Sequence, residues 1–505
     1  MKGLPNAAAL ASVAKHENSW RDLFHAGICK VVETEPGQVG QYVALSYCWG
    51  ACKLPFRTTS LNLERHRQGF RFARLPTTLQ DAIMIARFLG YNYIWIDCVC
   101  IIQGDGDDWA REAARMTDIY SNAALCITVE RAKRCDEGFL HARKREPWNH
   151  LRFEDDEGFF GLYFCHDEGM RRYRKYGIQR TQPLRDRGWA FQERLLSARR
   201  LNFASDITSW NCCQLWALED GSSGNAEESF IEKVARNLCS ETRRSLRHQL
   251  PDHSTWYQLV EQYTSLSLTE PTDKLPALSG IIAAIQQLTG DTCYAGLWKE
   301  HFIEGLLWRI NSPTNHRTYK NPRRPNKWRA PSWSFAAVDG TVTYNLFLED
   351  QYTTDLHVEL QECVVTPLNW QNPLGVLKAG FARIKGPVTA ITGIENQKDG
   401  NNGIYDTICN IALSGNRLTP ARISFDFMSD VPTYPSFGVN FDDEHEYLRH
   451  KLCDVLMINQ NAGIAIVAVN AKEDQYVRIG VVARLGPYPT LCAADFPEPS
   501  SVNLF

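Results

Sequence analysis

Between residues 41 and 129 the chain alternates short β-rich runs with helical stretches, and this alternation limits its fold more than any other feature. Gln41–Tyr47 (QYVALSY) reads as a buried strand that ends abruptly in Cys48-Trp49-Gly50. A helix start follows at Leu75-Pro76-Thr77, where Thr77 is placed to cap and Gln80 completes a T-x-x-Q capping box. Leu79, Ala82, Ile83 and Ala86 recur at helical spacing, and Gly90 falls where a left-handed cap belongs. Tyr93–Asp97 (YIWID) is a second strand, apolar as in a sheet covered on both faces. The loop Gly104–Asp107 leads to a helix capped by Asp108 and running to about Ser121, and Ala124–Val129 (ALCITV) is a third strand. Strand, helix, strand, helix, strand with short connections predicts a wound parallel α/β sheet.

The texture then changes. Arg171–Arg187 is basic and reads as solvated, and the helical stripe Phe191, Leu195 and Ala198 follows in RGWAFQERLL. Residues 225–310 read as helical, in the stretches Trp256–Tyr263, Leu275–Leu288 and Trp298–Ile310. Residues 311–329 read as an exposed loop, and from Ala330 onward runs such as LHVELQECVV and YVRIGVVARL predict a mainly antiparallel β unit. The expected organisation is an N-terminal segment (1–20), an α/β domain (21–215), a helical extension (216–310), the loop (311–329) and a β-rich domain (330–505).

At 505 residues there is room for about two to four domains. A hydrophobic content of 44% with 22% charged residues excludes wholesale disorder. The 55 Lys and Arg nearly balance the 58 Asp and Glu, so no dominant nucleic-acid or anionic-membrane footprint is expected. No apolar run approaches the ~18–20 residues of a spanning helix, no leader pattern is evident, and the cytoplasm is the default location. The 16 cysteines are scattered in apolar segments, as around Cys126, Cys409 and Cys453, which suits buried thiols in a reducing compartment. No C-x-x-C and no zinc-type histidine pair occurs, so no metal is expected; neither a G-x-G-x-x-G fingerprint nor a P-loop is present.

The segments YVALSYCWG, LPTTLQDAI with LGYNYIWIDCVCIIQ and DDWAREAARMTDIYSNAALCITV, and PLRDRGWAFQERLLSARRLNF resemble, in order, the three blocks of the fungal heterokaryon-incompatibility (HET) domain. DKLPALSGI, YAGLWKEHFIEGLLW and APSWSFAAVDG resemble the extension that many HET-domain proteins carry. Together these cover most of residues 40–345. The resemblance implies a distantly TIR-like α/β fold and a cytosolic role in non-self recognition that ends in cell death. Self-association and a protein partner of the incompatibility type go with that role. No cofactor is required, and NAD is a candidate small-molecule substrate, because some TIR domains cleave it with a glutamate on a D-W-x-x-x-E-like helix. The D-W-x-x-E of this chain is one residue shorter.

Glu112 is the leading catalytic candidate. On a helix starting near Asp108 it falls within the arc of Trp109, Ala113, Met116 and Tyr120, opposite Arg111, Arg115 and Asp118. An inward carboxylate must be paired or must face a cleft. Two readings stay open: an ion pair with Arg187 or Arg194, or a pocket at the strand ends where wound sheets bind ligands. Asp97 and Cys100 join it as catalytic candidates just past a strand end; Cys100 needs a base such as His66 or His141 to act as a nucleophile. Ser46, Trp49, Gly50, Gln103, Trp109, Trp189, Gln192, Glu193 and Arg194 are the candidate substrate-binding residues. Trp49 and Trp95 suit aromatic walls, and Gln192, Glu193 and Arg194 suit a polar network closing the domain on its sheet. An NAD glycohydrolase, a HET-type pocket turned to fungal secondary metabolism, and a non-catalytic interaction module are the competing functions.

Overall fold

The computed structural model describes residues 27–35, 37–51, 56–143, 148–155, 158–165, 182–225, 234, 235, 238, 253–310, 324–344, 358–398, 405–413, 417–425, 454–458, 462–470, 474–484 and 496–505. The expected segment 1–20, residues 171–181 of the basic stretch Arg171–Arg187, and residues 311–323 lie outside them; of the rest of that stretch, read as solvated, Gln182 and Leu184 are buried. The chain divides into two compact units, Met1–Ser245 and Leu246–Phe505.

In the first unit, strand β1 (Tyr42–Ser46), helix α1 (Thr77–Phe88) and strand β2 (Tyr93–Trp95) are followed by the one-turn helix α2 (Asp97–Cys100). Helices α3 (Gly106–Ala114) and α4 (Met116–Asn122), strand β3 (Leu125–Val129), helix α5 (Gly188–Leu196) and strand β4 (Arg199–Phe203) come next. Strands β5 (Thr208–Cys212), β6 (Leu215–Leu218) and β7 (Ser223–Asn225) complete a seven-stranded sheet in the order β7-β6-β5-β4-β3-β1-β2. β1 pairs in parallel with β2 and β3, and β3 with β4. From β4 to β7 the pairing is antiparallel. The sheet is therefore mixed, and its meander runs past residue 215, where the sequence reading ended the domain.

Period-two alternation gives the sheet two unlike faces. Val43, Leu45, Ile127, Val129, Leu201 and Phe203 pack with Leu79, Ala82, Ile83 and Ala86 of α1 in one apolar core. At about 1.5–3 kcal/mol per buried large aliphatic side chain, this face is the main source of the unit's stability. The residues between them stand in register as Ala44–Cys126–Arg200 and Ser46–Thr128–Asn202, all buried, and form a small, polar second face.

Three local expectations change. Thr77 does not cap: Pro76 holds the N-cap position of α1, and the Gln80 Nε2 donates to the Leu75 carbonyl at 2.7 Å. Gly90 does take the left-handed conformation after α1, with φ +84°. Asp105, not Asp108, caps α3, accepting from the N–H groups of Asp107 and Asp108 at 3.0 and 2.9 Å. Asp108 instead accepts from the Ile102 N–H at 2.7 Å. The single helix expected to Ser121 breaks at Arg115, which ends α3 and opens α4.

The second unit carries helices α6 (His253–Thr264) and α7 (Pro276–Thr289), then strands β8 (Glu359–Pro367), β9 (Leu377–Gly386), β10 (Val388–Lys398), β11 (Tyr405–Leu413) and β12 (Arg417–Phe425). Strands β13 (Asp454–Met457), β14 (Ala462–Asn470), β15 (Gln475–Arg484) and β16 (Ser500–Leu504) complete it. The ring β10-β11-β12-β15-β14-β13 closes through antiparallel pairs into a six-stranded barrel. Ile391, Ile411, Ala421, Val455, Met457, Ala465 and Val482 form its apolar core. β16, β9 and β8 continue the sheet outward from β15. Two expectations are corrected here. Trp298–Ile310 holds only a one-turn helix, Phe302–Gly305, between two short strands. Arg324 and Arg329, read as part of a solvated loop, are buried. No helix among the described residues is long and apolar enough to cross a membrane.

Candidate functional site

The chain lays β2 on one side of β1 and then returns to lay β3 on the other. In parallel sheets this reversal opens a crevice beyond the carboxyl ends of the two strands flanking it. Ser46 ends β1, Glu130 follows β3, and Asp97 begins the turn after β2. All three stand on this rim.

Helix α5 brings a fourth acid to the rim. Arg187-Gly188-Trp189 opens the helix, and its buried side presents Glu193 to the polar face of the sheet. There the Ser46 hydroxyl donates to Glu193 Oε2. The Tyr120 hydroxyl lies 3.2 Å from the Leu45 carbonyl and also hydrogen-bonds the Glu193 carboxyl. Ala44, Ser46, Cys126 and Thr128 on the adjacent strands are small and buried.

Beside it, Asp97 accepts from the Trp49 indole N–H at 2.7 Å and from the Cys98 N–H at 2.6 Å. Trp49 is thereby fixed by its polar edge, and its ring is partly exposed. Gly50 turns the chain away with φ +66°, and a Cβ there would meet the Arg134 Cγ at 2.5 Å. On the far side, Glu130 pairs with Arg185 at 2.9 Å, while its Oε2 is buried with no hydrogen-bond partner among the described residues.

Burial raises the Glu193 carboxyl from 4.5 to about 7, against the Ser46 hydrogen bond; the charge of Asp97 adds to the rise and Arg187 opposes it. Asp97 is raised too, chiefly by burial, with Trp49, Cys98 and Arg187 pulling it back. Two acids thus share the field of one guanidinium, and Glu193 is partly protonated near neutrality. Such a site can exchange a proton at neutral pH or present a carboxylate to a developing positive charge.

The other predicted residues separate into groups. Glu112 makes its ion pair with Arg115 of the same helical stretch at 2.9 Å, not with Arg187 or Arg194. The two are three residues apart and so are neighbours on one helical surface. Cys100 accepts from the Ile96 N–H at 3.5 Å, and burial pushes its thiol to about 12, so it stays protonated. Neither expected histidine is its partner: His66 Nδ1 pairs with the Thr58 hydroxyl at 2.9 Å, and His141 Nε2 meets Arg131 at 2.8 Å. The Gln103 side chain donates to the Ile101 and Asp97 carbonyls, holding the loop after α2. Trp109 and Trp189 meet edge to face, with ring centroids 6.2 Å apart. Trp95 packs on Tyr120 in the same manner at 5.7 Å. Gln192 is fully buried, and Arg194 lies over the Phe191 ring.

Sequence reasoning missed Tyr120 as a hydrogen-bonding group, and Glu130 altogether. The available signal was the alternation itself. A-S in YVALS, C-T in LCITV and R-N in RRLNF mark a face too polar to be only core, and that face requires polar company from a helix.

Residues 42–193 match the family model of the heterokaryon incompatibility protein (HET). Over 88 residues the chain is 32% identical to heterokaryon incompatibility protein 6, OR allele, of Neurospora crassa, an alignment covering 16% of this chain and 13% of that protein. No solved structure matches the chain. Ser46, Asp97, Glu112, Glu130 and Arg187 all lie within the matched region, and Glu193 is its last residue. Residues 42–193 of this chain are a heterokaryon-incompatibility domain.

Proposed function

We propose that this chain is an incompatibility-type effector whose HET domain cleaves the nicotinamide–ribose bond of NAD, with Glu193 as the reacting carboxylate. One observation carries the reading: a carboxyl held on Ser46 at the reversal point of a parallel sheet, beside an acid that fixes an indole. As nicotinamide departs with the bonding electron pair, positive charge grows on the ribose, and the Glu193 carboxylate stabilises it. Water then adds to the ribose carbon and loses its proton to the Glu193–Asp97 pair. Trp49 supplies a flat wall for the leaving ring. TIR-like kinship and a cell-death role belong to the same proposal.

The test is nicotinamide release from NAD by the purified chain, followed by chromatography. Glu193→Gln should lower the rate by roughly 10²–10⁴-fold, the range for a lost acid–base or charge-stabilising group. Glu112→Gln should stay within about twofold, since that carboxylate is paired with Arg115. Loss in Glu112→Gln with Glu193→Gln active would return the chemistry to α3. Wild-type protein without turnover at any concentration would leave the Ser46–Glu193–Tyr120 network as the scaffold of an interaction module, a reading favoured by the hydrogen bonds that already satisfy the Glu193 carboxyl.

A further inference from the structure

Lys274 ends the short turn Pro271–Lys274 that leads into α7, and only 6% of the residue is exposed. Its Nζ donates to the Val338 carbonyl at 2.8 Å, and the same oxygen accepts from an Arg329 terminal nitrogen at 2.9 Å. Arg329 also donates to the Ala336 and Pro271 carbonyls at 2.7 and 2.8 Å, and holds the Asp339 carboxylate at 2.9 Å. The Tyr263 hydroxyl donates to the Lys274 carbonyl at 2.7 Å. Two basic side chains therefore share one carbonyl oxygen, and the neighbouring carboxylate belongs to the arginine.

A guanidinium does not give up its proton in a protein, so any relief of this repulsion falls to the amine. Burial above all, then Arg329, push the Lys274 amine down to about 7, against the pull of Asp339. A large fraction of the amine is then neutral at physiological pH, unlike that of a solvated lysine. The Asp339 side chain is 23% exposed, so the cluster borders water. These groups lie in DKLPALSGI and in the stretch from Arg329 through APSWSFAAVDG, two segments that the HET domain does not use.

We propose that Lys274 is a carbamylation site that takes up carbon dioxide. The Nζ lone pair adds to the carbon of CO2, one C=O bonding pair moves onto oxygen, and Nζ releases a proton to water. The product is an N-carboxylate, with no oxidant or leaving group required. Carbon dioxide suits the place because it is neutral and has only three atoms. Its adduct also turns a cluster of two bases and one acid into one guanidinium facing two anions, which replaces the contact between two cations with two carboxylates on Arg329.

The experiment equilibrates the full-length chain with carbon-13 bicarbonate, fixes carbamates by alkylation with triethyloxonium, and maps the label by mass spectrometry of the peptides. At equal, sub-saturating dissolved CO2 the peptide carrying Lys274 should be labelled at about pH 8 and at least about tenfold less at about pH 6, because the neutral amine is lost and the released proton opposes the adduct. Lys274→Arg should abolish the label. An unlabelled Lys274 peptide at saturating bicarbonate, in protein shown to be folded by circular dichroism, overturns the proposal without recourse to a variant. So does a label that is the same at both pH values.

Discussion

Glu193 is a carboxyl whose ionisation works against its own burial, and that gives stability a pH dependence of definite sign. Its value rises from 4.5 to about 7 on folding, so the folded chain holds the proton better than the unfolded one. The stabilising contribution is complete below 4.5 and is lost as pH climbs through about 7. Urea titrations across this window should show wild type losing on the order of 2–3 kcal/mol from this group, and Glu193→Gln losing none of it. Gly50 offers a second test at the same scale. Its φ of +66° and the 2.5 Å approach to Arg134 leave no place for a methyl group. Gly50→Ala should cost at least about 1–2 kcal/mol in the same assay. Glu193 was legible in sequence as part of a closing network, and Ser46 as a strand-end residue. Their hydrogen bond spans 147 positions of chain, so no local pattern announces it.

At the scale of elements, the helical stretch after β2 shows how a three-residue spacing decides a functional reading. Asp105 starts α3 three residues ahead of the expected cap and Arg115 ends it, but Glu112 and Arg115 are three residues apart and are neighbours wherever the helix starts or stops, so the expectation that set them on opposite sides fails. Glu112→Gln should alter stability by no more than about 1 kcal/mol, because its partner Arg115 is 63% exposed and the pair is screened. Asp105→Ala should cost about 1 kcal/mol through the loss of both capping bonds. Thermal unfolding of the two variants checks both values. The strands were easier to read than the helix ends, since β-branched residues at period two survive an error of one or two positions whereas a helical face does not.

Across the whole molecule, the two units contain buried groups with opposite pH signatures. Lys274 falls from 10.5 to about 7 on folding, so the unfolded chain takes up its proton more readily. Its contribution is absent below about 7 and grows as pH rises toward 10.5, the reverse of Glu193. In CO2-free buffer, urea midpoints should therefore rise between about pH 7 and pH 9 in wild type, and Lys274→Met should flatten that rise. The three blocks in YVALSYCWG through RRLNF carried the resemblance to a HET domain, and the strand–helix alternation and the β runs after Ala330 predicted an α/β domain and a mainly antiparallel β unit, because short-range periodicity and turn chemistry are written locally. Only the tertiary structure decided that β4–β7 extend the sheet as a meander, that β10–β15 close into a barrel, and which acids meet at the rim. The reason is one of distance. Strand order, closure and the desolvation of Glu193, Asp97 and Lys274 depend on partners tens to hundreds of residues away, and a single sequence carries no record of which of them meet.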